Sequence, residues 1–426
     1  MKYVLYNCNL FDGKKDSGLV NVNIYIDNGI IVDINNGELK EGYKIINLSN
    51  KYVMPGLVNL PAHLFGSGKP SKVLGGGSSQ QKLIKFAGTK LGSKVLLHLV
   101  KNHVKKELYS GVTTLRSSGD FYYSDVKVRN LINKKKCVGP RLIVPGPAIT
   151  VSGGHGDGTF AITGNTKEEL ENLVKLNKEH NVDYIKICVT GGVMDAKKKG
   201  EPGELKMNLE QTKAICDLAH EYGYKVASHT ESNEGIKVAL NAGVDTIEHG
   251  SLMDENDVKL FKEKGAVDVL TISPSLPLAT FDPSVTKLNE MCIYNSNYLK
   301  DGMISGAKKC LENGVTVGLG TDASCPFVTP YDMWREVYYF AKYGGVSNTF
   351  ALHTATLVNS SILGLDKEIG TIEIGKKADI IVCDNDFTID IKELRNLTMV
   401  IKNGVIYKRI KIKKNKYIES KLDTLL

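Results

Sequence analysis

No run of about 18 apolar residues occurs in the 426-residue chain, so no membrane-spanning helix is expected. The first residues, Met1-Lys2-Tyr3-Val4-Leu5-Tyr6-Asn7, offer no apolar stretch long enough for a secretory leader. The eight cysteines (Cys8, Cys137, Cys188, Cys216, Cys292, Cys310, Cys325 and Cys383) are scattered, with no Cys-x-x-Cys pair. That spacing argues against a disulfide framework or a zinc ribbon and fits reduced thiols in a cytoplasm. No Gly-x-x-x-x-Gly-Lys phosphate loop is present. The basic stretches carry no interleaved aromatics and no RNA-binding motif. Neither a nucleic acid nor a membrane is an expected partner.

With 42% hydrophobic and 24% charged residues, the composition is that of an ordinary soluble protein with ample material for a core. The length suits one large barrel plus a small domain. The net charge of +8 is mostly local: Lys408-Arg409-Ile410-Lys411-Ile412-Lys413-Lys414-Asn415-Lys416 alone holds six basic residues. This segment is expected to be a solvated strand and a frayed basic tail, 413–426.

Both ends of the chain carry short-strand signals. Val20–Asp27 alternates apolar and polar residues, Asn28-Gly29 follows, and Ile30–Ile34 resumes, which is a hairpin pattern. Met399–Tyr407 contains a second Asn-Gly turn, after a turn and strand over Ile369–Val382. Between the ends, strand-like and helix-like segments alternate. Leu57–His63, Val112–Arg116, Arg141–Val144, Tyr184–Cys188, Lys225–His229, Thr246–His249, Val267–Ile272 and Val315–Gly320 are the strand candidates. Leu209–Tyr222 is one of the amphipathic helices between them. Strands alternating with helices imply a parallel sheet, and eight such units suit a (β/α)8 TIM barrel whose functional residues sit at the C-terminal ends of strands.

The chemistry-bearing residues lie at those ends. Pro55-Gly56-Leu57-Val58-Asn59-Leu60-Pro61-Ala62-His63-Leu64 is an apolar run that closes on a histidine. Lys186 is a lysine with apolar neighbours inside a strand, read either as a buried ion pair or as a functional group. His229 and His249 each close an apolar run, one strand–helix unit apart, which points to metal binding more than to packing. Asp322 ends the last strand, where the plain alternative is a helix cap. Ser152-Gly153-Gly154-His155-Gly156-Asp157-Gly158 follows a strand and carries a histidine and an aspartate, which suits substrate contact. A second Gly-rich loop runs from Gly66-Ser67-Gly68 through Gly75-Gly76-Gly77-Ser78-Ser79, as a lid or a surface turn. Arg116 and Asp120 stand after the second strand, supporting the site or pairing at the surface. His98, His103, His180, His220 and His353 are expected to be structural.

These motifs taken together resemble the amidohydrolase superfamily, in the order strand-1 His, strand-4 Lys, strand-5 His, strand-6 Glu-His-Gly and strand-8 Gly-Thr-Asp. The Ser-Gly-Gly-His-Gly-Asp and Ile-Lys-Ile-x-x-Thr-Gly-Gly segments look like the Xaa-Pro dipeptidase-like (prolidase-related) members. The resemblance implies a β-sandwich built from 1–54 and 366–412 around a barrel at 55–365. It implies a site of one or two metals, usually zinc, on His63, Lys186, His229, His249 and Asp322, with Lys186 carbamylated. It makes Asp322 the proton carrier as well as a ligand, and His155 a substrate-binding residue. The implied reaction is hydrolysis of a peptide or N-acyl amino acid amide, on a dipeptide or small-molecule substrate, with a homo-oligomer left open. The chain departs from the usual Asp-x-His-x-His strand at two places: Asn59 replaces the aspartate and Pro61 the first histidine. The alternatives are a weak or inactive member acting as a binding or assembly protein, and a cyclic-amide hydrolase.

Overall fold

Two hydrophobic patterns, alternating at the chain ends and continuous in the middle, sort the strands into two systems. The computed structural model describes residues 2–15, 17–71, 78–408 and 410–426. Strands β1 (Lys2–Leu10), β2 (Val20–Asp27), β3 (Ile30–Asn35), β4 (Lys44–Asn47) and β5 (Tyr52–Pro55) come from the N-terminal end. They join three C-terminal strands, labelled β16 (Ile380–Cys383), β17 (Leu397–Lys402) and β18 (Val405–Lys408), in one mixed sheet ordered β18-β17-β16-β5-β1-β2-β3, with β4 on β1. Both Asn-Gly turns form as expected. Asn28 and Gly29 have φ of 48° and 86°, and Asn403 and Gly404 have 48° and 73°, the left-handed pair that a two-residue hairpin requires. Tyr3, Leu5, Ile24, Val53, Ile380, Val382 and Met399 close a core of their own beneath this sheet.

The middle of the chain is a TIM barrel. Its parallel strands are β6 (Leu57–Ala62), β7 (Val112–Ser117), β8 (Arg141–Ile143), β11 (Ile185–Cys188), β12 (Val226–His229), β13 (Thr246–Glu248), β14 (Val267–Leu270) and β15 (Val317–Leu319). Two short strands, β9 (Ala148–Thr150) and β10 (Ala161–Thr163), lie on the edge of β11. Where the ladders stop, single hydrogen bonds close the circle. Asp183 N–H donates to Val144 O (2.7 Å) between β8 and β11. Asp322 N–H donates to Pro61 O (2.9 Å), and His63 N–H to Ala323 O (3.0 Å), between β15 and β6. All eight expected strands are found, each end within two residues of the expected one. The strands are apolar on both faces because helices such as Leu209–Glu221 cover the outside while side chains fill the inside.

The frayed tail is corrected by the structure. Lys416–Leu422 is a helix whose Ile418 and Leu422, with Leu425 beyond, are buried at helical spacing. Its acids dock it: Glu419 pairs with Arg395 (2.7 Å) and Asp423 with buried Arg335 (2.7 Å). The density of lysines before it hides this amphipathic pattern in the sequence. Residues 72–77 of the first Gly-rich loop, and Arg409 of the basic segment, lie outside the described residues. Among the described residues no helix is long and apolar enough to cross a membrane, and all eight cysteines are free.

Candidate active site

Five barrel strands, four at their C-terminal ends and β11 from within at Lys186, bring the expected residues to one small cavity. His63, Lys186, His229, His249 and Asp322 line it, together with Ser118, His155, Phe160 and Cys188. Its volume of about 20 Å³ is room for a water or an ion and not for a peptide. Phe160 stands over it, its ring 4.7 Å from that of His63 and 5.4 Å from that of His155.

Each imidazole is fixed by one nitrogen. His63 Nδ1 is 2.8 Å from Gly119 O and His249 Nδ1 is 2.5 Å from Thr271 Oγ1, which leaves both Nε2 atoms free. His229 instead places Nε2 3.1 Å from Gly191 O and keeps Nδ1 free. Such a contact on one ring nitrogen sets the tautomer and aims the other. Burial lowers the pKa of all three rings, His249 to about 3, and the surrounding positive groups push His229 down further. The rings are therefore neutral, the form that binds metals. Burial works to raise Asp322, but His249, His63 and Lys186 outweigh it, and its carboxyl is held below the ordinary value as an anion. His63 Nε2 and Asp322 Oδ1 are 3.6 Å apart. His249 and Asp322 both have positive φ, 65° and 49°, in the left-handed region that non-glycine residues seldom enter. Such positions cluster at functional sites.

Lys186 lies under the cavity and is buried against Glu248, whose other oxygen takes Arg116 Nη2 at 2.7 Å. Burial lowers the Lys186 amine to about 8. Arg116 also reaches Thr246 Oγ1 (3.2 Å) and packs on the Tyr184 ring, so the surface pairing considered for it is excluded. Asp120 is fully buried as well, capped by Phe121 N–H (2.9 Å). His155 reaches the site from its Gly-rich loop. Its ring stacks on His229 at 4.0 Å and 7°, and its Nδ1 pairs with Asp195. The remaining histidines are structural: His103 contacts Leu64 O and His353 contacts Gly13 O, both at 2.9 Å, His98 meets Asn102, His220 meets Asp245 and His180 stacks on Tyr123.

The amidohydrolase family matches residues 52–407, which takes in the barrel and the β5, β16, β17 and β18 part of the sheet, leaving β1 to β4 outside. The chain belongs to that family. A Bifidobacterium longum protein provisionally described as a prolidase superimposes with a TM-score of 0.87 at 34% identity, covering 99% of this chain and 98% of that one. A Xaa-Pro dipeptidase with methionine in its active site gives 0.84 at 30%, covering 96% and 100%. The Aspergillus niger ochratoxinase is 26% identical over 330 residues, 71% of this chain and 66% of that protein, so the match spans just under two thirds of the relative.

Within this amidohydrolase, the donors suit a divalent metal in kind: three neutral imidazoles and a carboxylate, with aimed free nitrogens. As placed, no three His, Cys, Asp or Glu side chains among the described residues stand close enough to hold one together. Pro61 lies in β6, at the place expected for the missing imidazole, and contributes only its carbonyl, to Asp322 N–H. Ser118 and Phe160 line the cavity unannounced by the sequence reading, which also misses four further residues at or beside it. Cys188 shares a strand face with Lys186, two residues away, so the period of the strand is a signal for it. Glu248 immediately precedes His249 in the motif. Asp195 and Glu231 sit on loops with no spacing that marks them.

Proposed function

We propose that this chain hydrolyses an amide bond, in a dipeptide or an N-acyl amino acid, with a divalent metal, zinc in the first instance, held by His63, Lys186, His229, His249 and Asp322. The observation that carries the reading is the convergence of these five residues, from five barrel strands, on one cavity. The family membership and the two prolidase-type structures at 30% identity or more support the amide class. A divalent metal bound there would lower the pKa of water toward neutrality and polarise the substrate carbonyl.

The chain's own residues supply the rest. Asp322, ionised and at the mouth, accepts the proton of the attacking water and returns it to the leaving amine. Asp195 orients the His155 ring, which offers its second nitrogen to the substrate. Phe160 shields the reacting atoms and must move for a peptide to enter. Carbon dioxide added to the neutral Lys186 amine, with a proton released to solvent, would replace a buried cation by a carbamate anion that could serve as a metal ligand, with Arg116 as the remaining neutraliser of Glu248.

Pro61 supports a second reading, an amidohydrolase-fold protein that binds without turnover, because it withholds one donor. Metal content per chain, measured after purification and after zinc loading, separates the two together with turnover of a panel of dipeptides and N-acyl amino acids. Bound metal with turnover is expected. A metal-free chain that turns over nothing in the panel would sink the first reading.

A further inference from the structure

Glu231 is two residues beyond His229, at the mouth of the barrel, and the mechanism above gives it no task. It is 6% exposed. Its backbone N–H is pinned to Thr190 Oγ1 (3.0 Å), and the loop at Gly203 packs so closely that a Cβ there would lie 2.5 Å from the Glu231 carbonyl. Its Oε1 is 3.8 Å from His229 Nε2, on a ring that lines the cavity, while Oε2 has no hydrogen-bond partner. Burial, and then the acids Asp195 and Asp322, hold its carboxyl well above the ordinary range against one hydrogen bond from the Val193 backbone, and no lysine or arginine among the described residues pairs with it. Asp195 is already committed to His155. A buried carboxyl group with an open oxygen and no counter-cation is costly, and such an unsatisfied group calls for a partner that completes it.

We propose that Glu231 selects substrates carrying a positively charged nitrogen, an ammonium or a guanidinium group, by pairing with it across the mouth of the site. This rests on the amide-hydrolase reading and narrows it. The cation arrives with the substrate, so Oε2 is left open in the free protein. Two groups could provide it, the free amino terminus of a peptide or a basic side chain. A charge-assisted contact of this kind is worth about 10- to 100-fold in affinity.

The test uses the full chain loaded with zinc. Binding is measured by calorimetry for lysine against norleucine, which isolates the side-chain cation, and for norleucine against N-acetylnorleucine, which isolates the amino terminus. Turnover is measured in parallel for dipeptides with lysine or norleucine in each position. The cationic member of at least one pair should bind about 10-fold or more tightly. In Glu231→Gln that ratio should fall toward one, and in Glu231→Asp, which keeps the charge, part of it should return. Equal binding within both pairs would overturn the proposal. So would a preference that survives Glu231→Gln, or loss of metal in that variant, which would make Glu231 a ligand. A cation preference that depends on Glu231 in a chain that cleaves no peptide would uphold this inference while the hydrolase reading fails.

Discussion

Replacing Arg116 and Lys186 singly and together reads out the charge that Lys186 carries. Glu248 is fully buried, with Arg116 at one oxygen and Lys186 at the other. Removing one partner of a buried ion pair costs about 3–5 kcal/mol. Here the remaining cation still faces Glu248, so Arg116→Met and Lys186→Met should each fall at the low end, about 3 kcal/mol. Unfolding entropy of about 2.1 cal/mol/K per residue, over 426 residues, is about 0.9 kcal/mol/K, so each single change lowers Tm by about 3 °C. The double variant leaves the carboxylate with neither cation and should exceed the sum by a coupling of about 0.5–3 kcal/mol. Carbamylation inverts the sign of that coupling. An anionic carbamate beside Glu248 makes Arg116 the shared counter-charge of two acids, so removing Lys186 lightens the loss of Arg116 and the double variant costs less than the sum. Thermal unfolding followed by circular dichroism, on metal-free protein in carbon-dioxide-free buffer and again with zinc and bicarbonate, gives both cycles. Simple additivity under both conditions would refute the electrostatic triad, and an unchanged sign would refute the carbamate.

Three further outcomes are expected. Burial pushes the Glu107 carboxyl up from 4.5 to about 8; its stabilising contribution is thus complete below about pH 4.5 and is lost as pH rises through about 8. Glu107→Gln should flatten the stability–pH curve in that window, and a curve unchanged by the substitution counts against a neutral Glu107. His155→Asn should leave the metal content intact and lower kcat/KM about 100-fold or more, as loss of a transition-state contact does; loss of metal would instead make His155 a ligand. Pro61→His should tighten binding of a metal by at least about 10-fold, since even an outer-shell partner is worth about 10- to 100-fold, and titration of both apo-proteins with zinc checks it.

The barrel is legible in the sequence because each strand is a short apolar block with a distinctive last residue, and the hairpins are legible because Asn-Gly has one favoured turn. Lys186 stands out for the same reason: a charge inside an apolar block must be paired or used. Its partners are not legible. Arg116 and Glu248 are 132 residues apart and meet only because the barrel closes. Asp195 and Glu231 are ordinary acids on loops, placed by neighbouring backbone and not by any period. The C-terminal helix is obscured by six basic residues that draw attention to charge, whereas its packing depends on Ile418, Leu422 and two acids.

The two departures in β6 do different things, and that bears on whether the site has decayed. Asn59 fastens the seam where β6 and β15 have no regular ladder. Its Oδ1 accepts Thr321 N–H and its Nδ2 donates to Thr321 Oγ1, each at 2.9 Å. An ionised aspartate could accept from Thr321 but could not donate, so the asparagine suits this seam in its own right. Asn359 repeats the device lower down, donating to Val58 O (2.6 Å) and Leu319 O (2.8 Å). The strands run so close that a Cβ at Gly320 would lie 2.1 Å from the Leu60 carbonyl. Pro61 takes part through the one group a proline shares with every residue, its carbonyl, which holds the Asp322 N–H. Asp322, in its left-handed conformation, is thus gripped on both sides, by Asn59 through Thr321 and by Pro61 directly. A decaying site would be expected to loosen at the seam that positions its acid. Here the seam is intact, and the loss in β6 is confined to a single side-chain donor.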